Sequence, residues 1–172
     1  KRISNYLVKF ATDRNLRFIQ DGSNNVIIFK DGTAGYENSS SVMLQGHMDM
    51  VCEKDTDCDI DFEHDGLKLV FEDGVISADG TTLGGDDGIA VAFALAILDA
   101  DDIPHPPLEC VFTVDEEIGM LGAAAIDCSP LKSRIMLNLD SEDEGYLLVS
   151  CTGGACATCH IPVEYGDVEN NL

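Results

Sequence analysis

The chain has 172 residues, 45% of them hydrophobic, with 32 Asp and Glu against 10 Lys and Arg for a formal charge of −22. That is about one domain's worth of sequence, enough to bury a core without disulfide staples. The charge argues against nucleic acid or an anionic membrane as partner, since both are polyanions; it leaves two readings, solubility alone or carboxylates gathered around cations.

The opening KRISNYLVKFATDRN carries Ile3, Leu7, Val8 and Phe10 on a helical period. It predicts an amphipathic helix that stops before Asn15, and not an export signal. RFIQ and NVIIFK, separated by the turn-forming DGSNN, read as a hairpin. After a polar loop, SVMLQGH reads as a short strand. The acidic loop CEKDTDCDIDFEHDG leads to a strand at LKLVFED and a second turn. The glycine-rich ISADGTTLGGDDG then opens into the helix IAVAFALAILDA. LECVFTV is a strand, DEEIGMLGAAAI a loop entering a helix, and RIMLNLD a strand; YLLVS and CHIPVEY are expected to be strands too. The longest apolar run, IAVAFALAIL, falls short of the roughly 20 residues that span a bilayer and is a buried helix at most. Seven scattered cysteines, an odd number, read as reduced, partly buried thiols. The expectation is a soluble cytoplasmic protein.

Strands alternating with helices predict an α/β fold, a mixed, largely parallel sheet flanked by helices. Ligands of such sheets collect outside the carboxyl ends of the strands. The polar clusters sit at those ends: GHMD after SVMLQ, TVDEE after LECVF, NLDSED after RIML. His47-Met48-Asp49, Asp86-Asp87, Glu116-Glu117 and Asp140 are therefore the candidate site. One imidazole with several carboxylates suits zinc, manganese or cobalt. On an extended stretch His47 and Asp49 point to the same side, so Asp49 can accept the ring N–H of a metal-bound His47. Each cluster alone is ordinary, since paired acids usually sit on solvated faces. Four in this order form a sharper signal.

The strings LQGHMDMVCEKD, SADGTTLGGDDGIAVA, HPPLECVFTVDEEIGMLGA and LNLDSEDEG closely resemble the Xaa-His (aminoacyl-histidine) dipeptidases, peptidase D. That family sits in the zinc metallopeptidase clan with glutamate carboxypeptidase and tripeptidase T. The resemblance covers nearly the whole chain. It implies hydrolysis of dipeptides of the Xaa-His type by water activated between two zinc ions, with Mn2+ or Co2+ as alternatives. By position, His47 and Asp140 would bind one metal, Asp86 would bridge both, and Glu117 would bind the second. Asp49 would orient His47, and Glu116 would be the general base; Asp87 would cap the helix. A dipeptide is the implied partner, and a homodimer of the full-length protein stays open.

The family pattern also has a distal histidine on the second metal and a lid-like second domain. His64, in the acidic loop, His105, in a Pro-rich turn, and His160, in a late strand, do not fit that histidine. The chain therefore reads as the N-terminal part of a catalytic domain over 1–150. Residues 151–172 read as a strand and the start of a connection to the lid, which is absent. Incomplete activity of these residues alone is the expectation. The alternatives are a related amidohydrolase of the clan, deacylase or tripeptidase, and a non-catalytic acidic module that binds cations. Asp at position 140 favours the peptidases by resemblance, and retention of Glu116 beside Glu117 speaks against a mere metal holder.

Three tempting motifs are set aside. Cys156-Ala-Thr-Cys159-His160 has the haem-attachment spacing but sits in an expected strand of an acidic protein. Asp55-x-Asp57-x-Asp59 opens like a calcium loop, but Ile60 and Gly66 stand where that loop needs glycine and glutamate. Gly84-Gly85 and Gly153-Gly154 lack the lysine or the strand-turn spacing of a phosphate loop.

Overall fold

Helix α1 (Arg2–Asp13) buries Ser4, Leu7 and Ala11, an i, i+3, i+7 stripe, together with Phe10. Asn15 ends it in the left-handed region at φ 54°. Its N–H returns to the Thr12 carbonyl at 3.1 Å and that of Leu16 to Ala11 at 2.9 Å, which satisfies the last turn. The computed structural model describes residues 1–141 together with 145, 146, 148 and 149. The strand expected at CHIPVEY, most of that at YLLVS, Gly153-Gly154 and the Cys156–His160 motif lie outside the described residues.

Strands β1 (Arg17–Gln20) and β2 (Val26–Lys30) form the expected hairpin; β3 (Val42–His47), β6 (Leu108–Thr113) and β7 (Ile135–Asn138) complete a five-stranded sheet in the order β1-β2-β6-β3-β7. The β1–β2 and β2–β6 pairs are antiparallel, while β6–β3 and β3–β7 are parallel. All strands but β2 thus run the same way, the mixed and largely parallel sheet that the sequence predicts. Interior strands β2 and β6 are covered on both faces. On one face Val26, Ile28, Leu44, Cys110 and Phe112 pack with Leu7 and Phe10 of α1 and Ala94 and Leu98 of helix α2 (Gly85–Asp99). On the other, Ile27, Phe29 and Val111 meet Met43, Ile126 and Leu131.

The α2 helix is found where expected but is not buried all round. Ala90, Ala94 and Leu98 face the sheet, whereas Ile89 is 63% and Phe93 56% exposed. Among the described residues, no helix is long and apolar enough to cross a membrane. Lys30 closes the end of α2, its ammonium donating to the carbonyls of Ile97, Leu98 and Ala100 at 3.2, 3.0 and 2.6 Å.

Strand β5 (Val75–Ala78) was not expected. It pairs with β4 (Leu69–Glu72) as a separate two-stranded ribbon. Asp73 and Gly74 both take positive φ, 50° and 82°, the pair that a two-residue hairpin turn requires. The four described cysteines are free: Cys110 is buried, Cys58 half-buried, and Cys52 and Cys128 exposed. Burial pushes the Cys110 thiol up to about 12, so it is inert at neutral pH.

Candidate active site

Topology puts the polar clusters together before any side chain is considered. β6, β3 and β7 are adjacent and parallel, so their carboxyl ends share one edge of the sheet. His47 is the last residue of β3 and pairs in register with Thr113, the last of β6. Glu116 and Glu117 follow Thr113 by three and four residues, and Asp140 follows the end of β7 by two. The Met48 N–H donates to the Thr113 carbonyl at 2.8 Å, and the Asn138 amide to Gln45 Oε1 at 2.6 Å, which keeps the strand ends level.

The start of α2 brings in Asp86 and Asp87. Both have non-helical backbone angles, so the regular helix begins after them. Asp87 is 1% exposed, and its Oδ2 accepts the His47 backbone N–H at 3.1 Å while the carboxylate also accepts the Ala90 N–H. It therefore caps the helix, as the sequence suggests, and at the same time ties the helix to the end of β3. Gly46 makes this approach feasible, because a Cβ there would lie 2.6 Å from both Asp87 Oδ2 and the Ala90 methyl.

His47 is the hub. Its ring is almost wholly buried, with Nε2 2.9 Å from Asp86 Oδ1 and 4.0 Å from both Glu116 Oε2 and Asp140 Oδ2. His47, Asp86 and Glu117 each offer a ligand atom within 4.8 Å of the others, and so do His47, Asp87 and Asp140. Among the described residues, these are the groups able to hold a metal ion. An imidazole with several carboxylates is a donor set that fits a divalent zinc-like cation. On the opposite side of the ring, Nδ1 meets the Asp49 backbone carbonyl at 3.0 Å, and the Asp49 carboxylate Oδ1 stands at 3.5 Å. Asp49 Oδ1 is buried with no hydrogen-bond partner, and Oδ2 accepts the Glu117 N–H at 3.1 Å. Asp49 thus touches both the imidazole and the Glu116-Glu117 turn.

The electrostatics follow from crowding carboxylates around one buried ring. Burial alone would lower the His47 pKa, but the bond to Asp86 and the charge of Asp49 outweigh it and leave it raised. Burial raises Asp87 to about 6, with Asp140 adding repulsion against the opposing pull of His47. Glu116 is also raised, chiefly by partial burial and further by Asp140, Glu117 and Asp49, with His47 opposing. A carboxyl so shifted is a better proton acceptor than an ordinary glutamate.

Every residue singled out in the sequence, His47, Asp49, Asp86, Glu116, Glu117 and Asp140, lies at this one edge. His64 is exposed and pairs with Asp61, and His105 is buried with Nδ1 at the Pro106 carbonyl; neither belongs to the cluster. His160 is outside the described residues. Two supporting residues escaped the sequence reading. Gly46 carries no chemical signal. Asn25 stands in the β1–β2 turn, where its residue type reads simply as turn-forming.

Residues 43–161 match the sequence profile of peptidase family M20/M25/M40. The chain is 37% identical over 164 residues to the cytosol non-specific dipeptidase of Escherichia coli (strain K12), covering 95% of this chain and 34% of that protein. Among solved structures it is similar to an aminoacylhistidine dipeptidase from Vibrio alginolyticus, with a TM-score of 0.81, 42% identity, and coverage of 84% of this chain and 30% of the other. It also matches the aminopeptidase PepT from Bacillus cereus ATCC 10987, with a TM-score of 0.65, 29% identity, and coverage of 82% and 38%. The chain thus spans about a third of the length of these relatives.

Proposed function

This chain belongs to peptidase family M20/M25/M40, and on that premise we propose that the protein hydrolyses dipeptides of the Xaa-His type in the cytoplasm, using water activated at a two-zinc centre. The observation that carries the reading is the convergence on buried His47 of Asp86, Glu117 and Asp140, with Glu116 Oε2 4.0 Å from the same ring nitrogen. The name of the Escherichia coli relative supports a dipeptide substrate and the compartment, and that of the Vibrio relative the Xaa-His type.

In this reading His47 and Asp140 hold one cation, Glu117 holds the second, and Asp86 is shared between them. Such a pair would supply Lewis acidity and lower the pKa of water toward about 7. Asp49 fixes the His47 ring by accepting the Nδ1 proton at its peptide carbonyl, which leaves Nε2 free for coordination. Glu116 takes a proton from the attacking water and gives it to the leaving amine. Asp87 stays out of the chemistry and holds the His47 backbone.

The test measures bound metal and hydrolysis in the full-length protein, offering an Xaa-His dipeptide, a tripeptide and an N-acyl amino acid. The expected result is two zinc ions per site and turnover of the dipeptide, lost on chelation and restored by zinc. Preference for the acyl substrate or the tripeptide would move the protein to another activity of the clan. Bound metal without hydrolysis would leave a cation-binding module.

A further inference from the structure

Asn25 is a buried polar side chain, 1% exposed, placed far from the acidic cluster in sequence and type. Its amide nitrogen donates to the Gly122 carbonyl at 3.0 Å and to Asp21 Oδ2 at 2.7 Å, and its oxygen accepts the Val114 N–H at 3.0 Å. Val114 and Gly122 are the two feet of the turn that carries Glu116 and Glu117. The feet also bond to each other, with the Gly122 N–H on the Val114 carbonyl at 3.1 Å. Packing there is tight: a Cβ on Gly122 would lie 2.2 Å from the Val114 carbonyl oxygen and 2.6 Å from Asn25 Oδ1.

Between the feet, the turn is held by its own backbone, with the Gly119 and Met120 N–H groups on the Glu116 carbonyl at 2.9 Å and the Leu121 N–H on the Asp115 carbonyl at 3.0 Å, and by the Glu117 N–H on Asp49 Oδ2 at 3.1 Å. Asp115, Gly119 and Met120 all take positive φ, at 55°, 113° and 57°, and Ile118, Gly119 and Met120 are exposed. A strained, exposed turn keeps its shape only where its surroundings over-determine it, and its ends are part of that support. Asn25 holds them, and Asp21 holds Asn25, since its Oδ1 also accepts the N–H groups of Ser23 and Asn25, each at 2.9 Å. The bonds run from the β1–β2 turn to Val114 and Gly122, and none of them involves a metal-capable side chain.

We propose that Asn25 is a positioning residue for the hydrolysis: by clamping Val114 to Gly122 it sets the reach of Glu116 toward the reacting water. The inference rests on Glu116 being the base. A displacement near 1 Å at a reacting group costs on the order of 10²-fold in rate, so a loosened turn has a measurable effect.

The experiment uses the full-length protein saturated with zinc, and compares wild type, Asn25→Ala and Asp21→Asn. Three quantities are read: kcat and KM on an Xaa-His dipeptide, and amide hydrogen exchange across residues 114–122. Asn25→Ala is expected to lower kcat about tenfold or more, with KM within about twofold. Exchange in the 114–122 turn should quicken while β2 and β6 stay protected. Asp21→Asn, which removes the charge and one of the two acceptor oxygens that anchor Asn25, should give the same pattern at a few-fold size; it decides the matter if Asn25→Ala does not fold. Wild-type kcat in the folded variants, or unchanged exchange in the turn, overturns the proposal. Absence of turnover in the wild type would instead count against the proposed reaction, and the exchange data would still decide whether Asn25 holds the turn.

Discussion

Asp87 offers the sharpest test of how the site is built, because its carboxylate is buried, singly charged when ionised, and away from the expected chemistry. Its pKa is about 6 in the folded chain against an ordinary 3.8, mainly through burial. The folded state therefore binds this proton more tightly than the unfolded state, and stability falls as pH rises from below 3.8 through 6. The full penalty is about 3 kcal/mol, and roughly half of it has set in by pH 5, which leaves about 1.4 kcal/mol to accumulate between pH 5 and pH 8. Asp87→Asn cannot ionise and escapes it. One acceptor is lost, since an amide oxygen replaces two carboxylate oxygens, and that loss is independent of pH. The expected outcome is thus a difference of differences. In chelator-treated protein, urea unfolding at pH 5 and pH 8 should show Asp87→Asn gaining about 1.4 kcal/mol on wild type between the two conditions. A gap that stays constant, or moves the other way, refutes the claim that burial holds this carboxyl near 6.

The two adjacent glutamates should separate by function in the full-length protein. Glu116→Gln should keep its zinc and lose about 10²–10⁴ in turnover of an Xaa-His dipeptide, whereas Glu117→Gln should bind the second metal weakly and regain part of its activity in excess zinc. Metal analysis beside kcat reads both; zinc lost from Glu116→Gln but kept by Glu117→Gln would reverse the assignments. Gly46→Ala drives a methyl against Asp87 and the rigid Ala90 side chain, so overpacking should cost about 1–3 kcal/mol in a urea titration. An unchanged midpoint would mean that α2 does not rest on β3 as closely as described.

The elements legible in the sequence are those with a strong period or an unambiguous stop. Helix α1 shows its stop before Asn15 and, in Leu7 and Phe10, part of its buried face, although Ile3 is exposed and Ser4 and Ala11 are buried instead; β2, β3 and β6 show as apolar runs broken by polar clusters. The site was legible for the same reason. In a parallel sheet the residue just past an apolar run lies at the carboxyl edge, so adjacency in space follows from strand order. What escaped was information carried by the backbone. The Asp73-Gly74 turn makes VISA a strand, though the glycine-rich stretch around it reads as loop. The apolar run of α2 gives no sign that Ile89 and Phe93 face outward, because periodicity is lost when nearly every residue is apolar. Asp49 was expected to orient His47 through its carboxylate, yet the 3.0 Å contact is made by its carbonyl, a group that every residue has.

The centre gathers several carboxylates around one buried ring. Carboxylates this close repel one another, and in an aqueous loop they would simply spread apart. Here the backbone constrains them: Asp87 sits in a helix start closed against Gly46, and Glu116 and Glu117 stand in a turn bonded to Asn25 at its feet and to Asp49 at Glu117. Burial, with repulsion from the neighbouring carboxylates added, raises the pKa values of Glu116 and Asp87. A divalent cation relieves that repulsion directly, since opposite charge favours the ionised form. In the proposed reading, a scaffold that holds the carboxylates close favours metal binding, and the residues that hold it contribute alongside the proposed ligands. Relaxing the scaffold at Gly46 or Asn25 should lower metal affinity even though neither side chain can bind a metal.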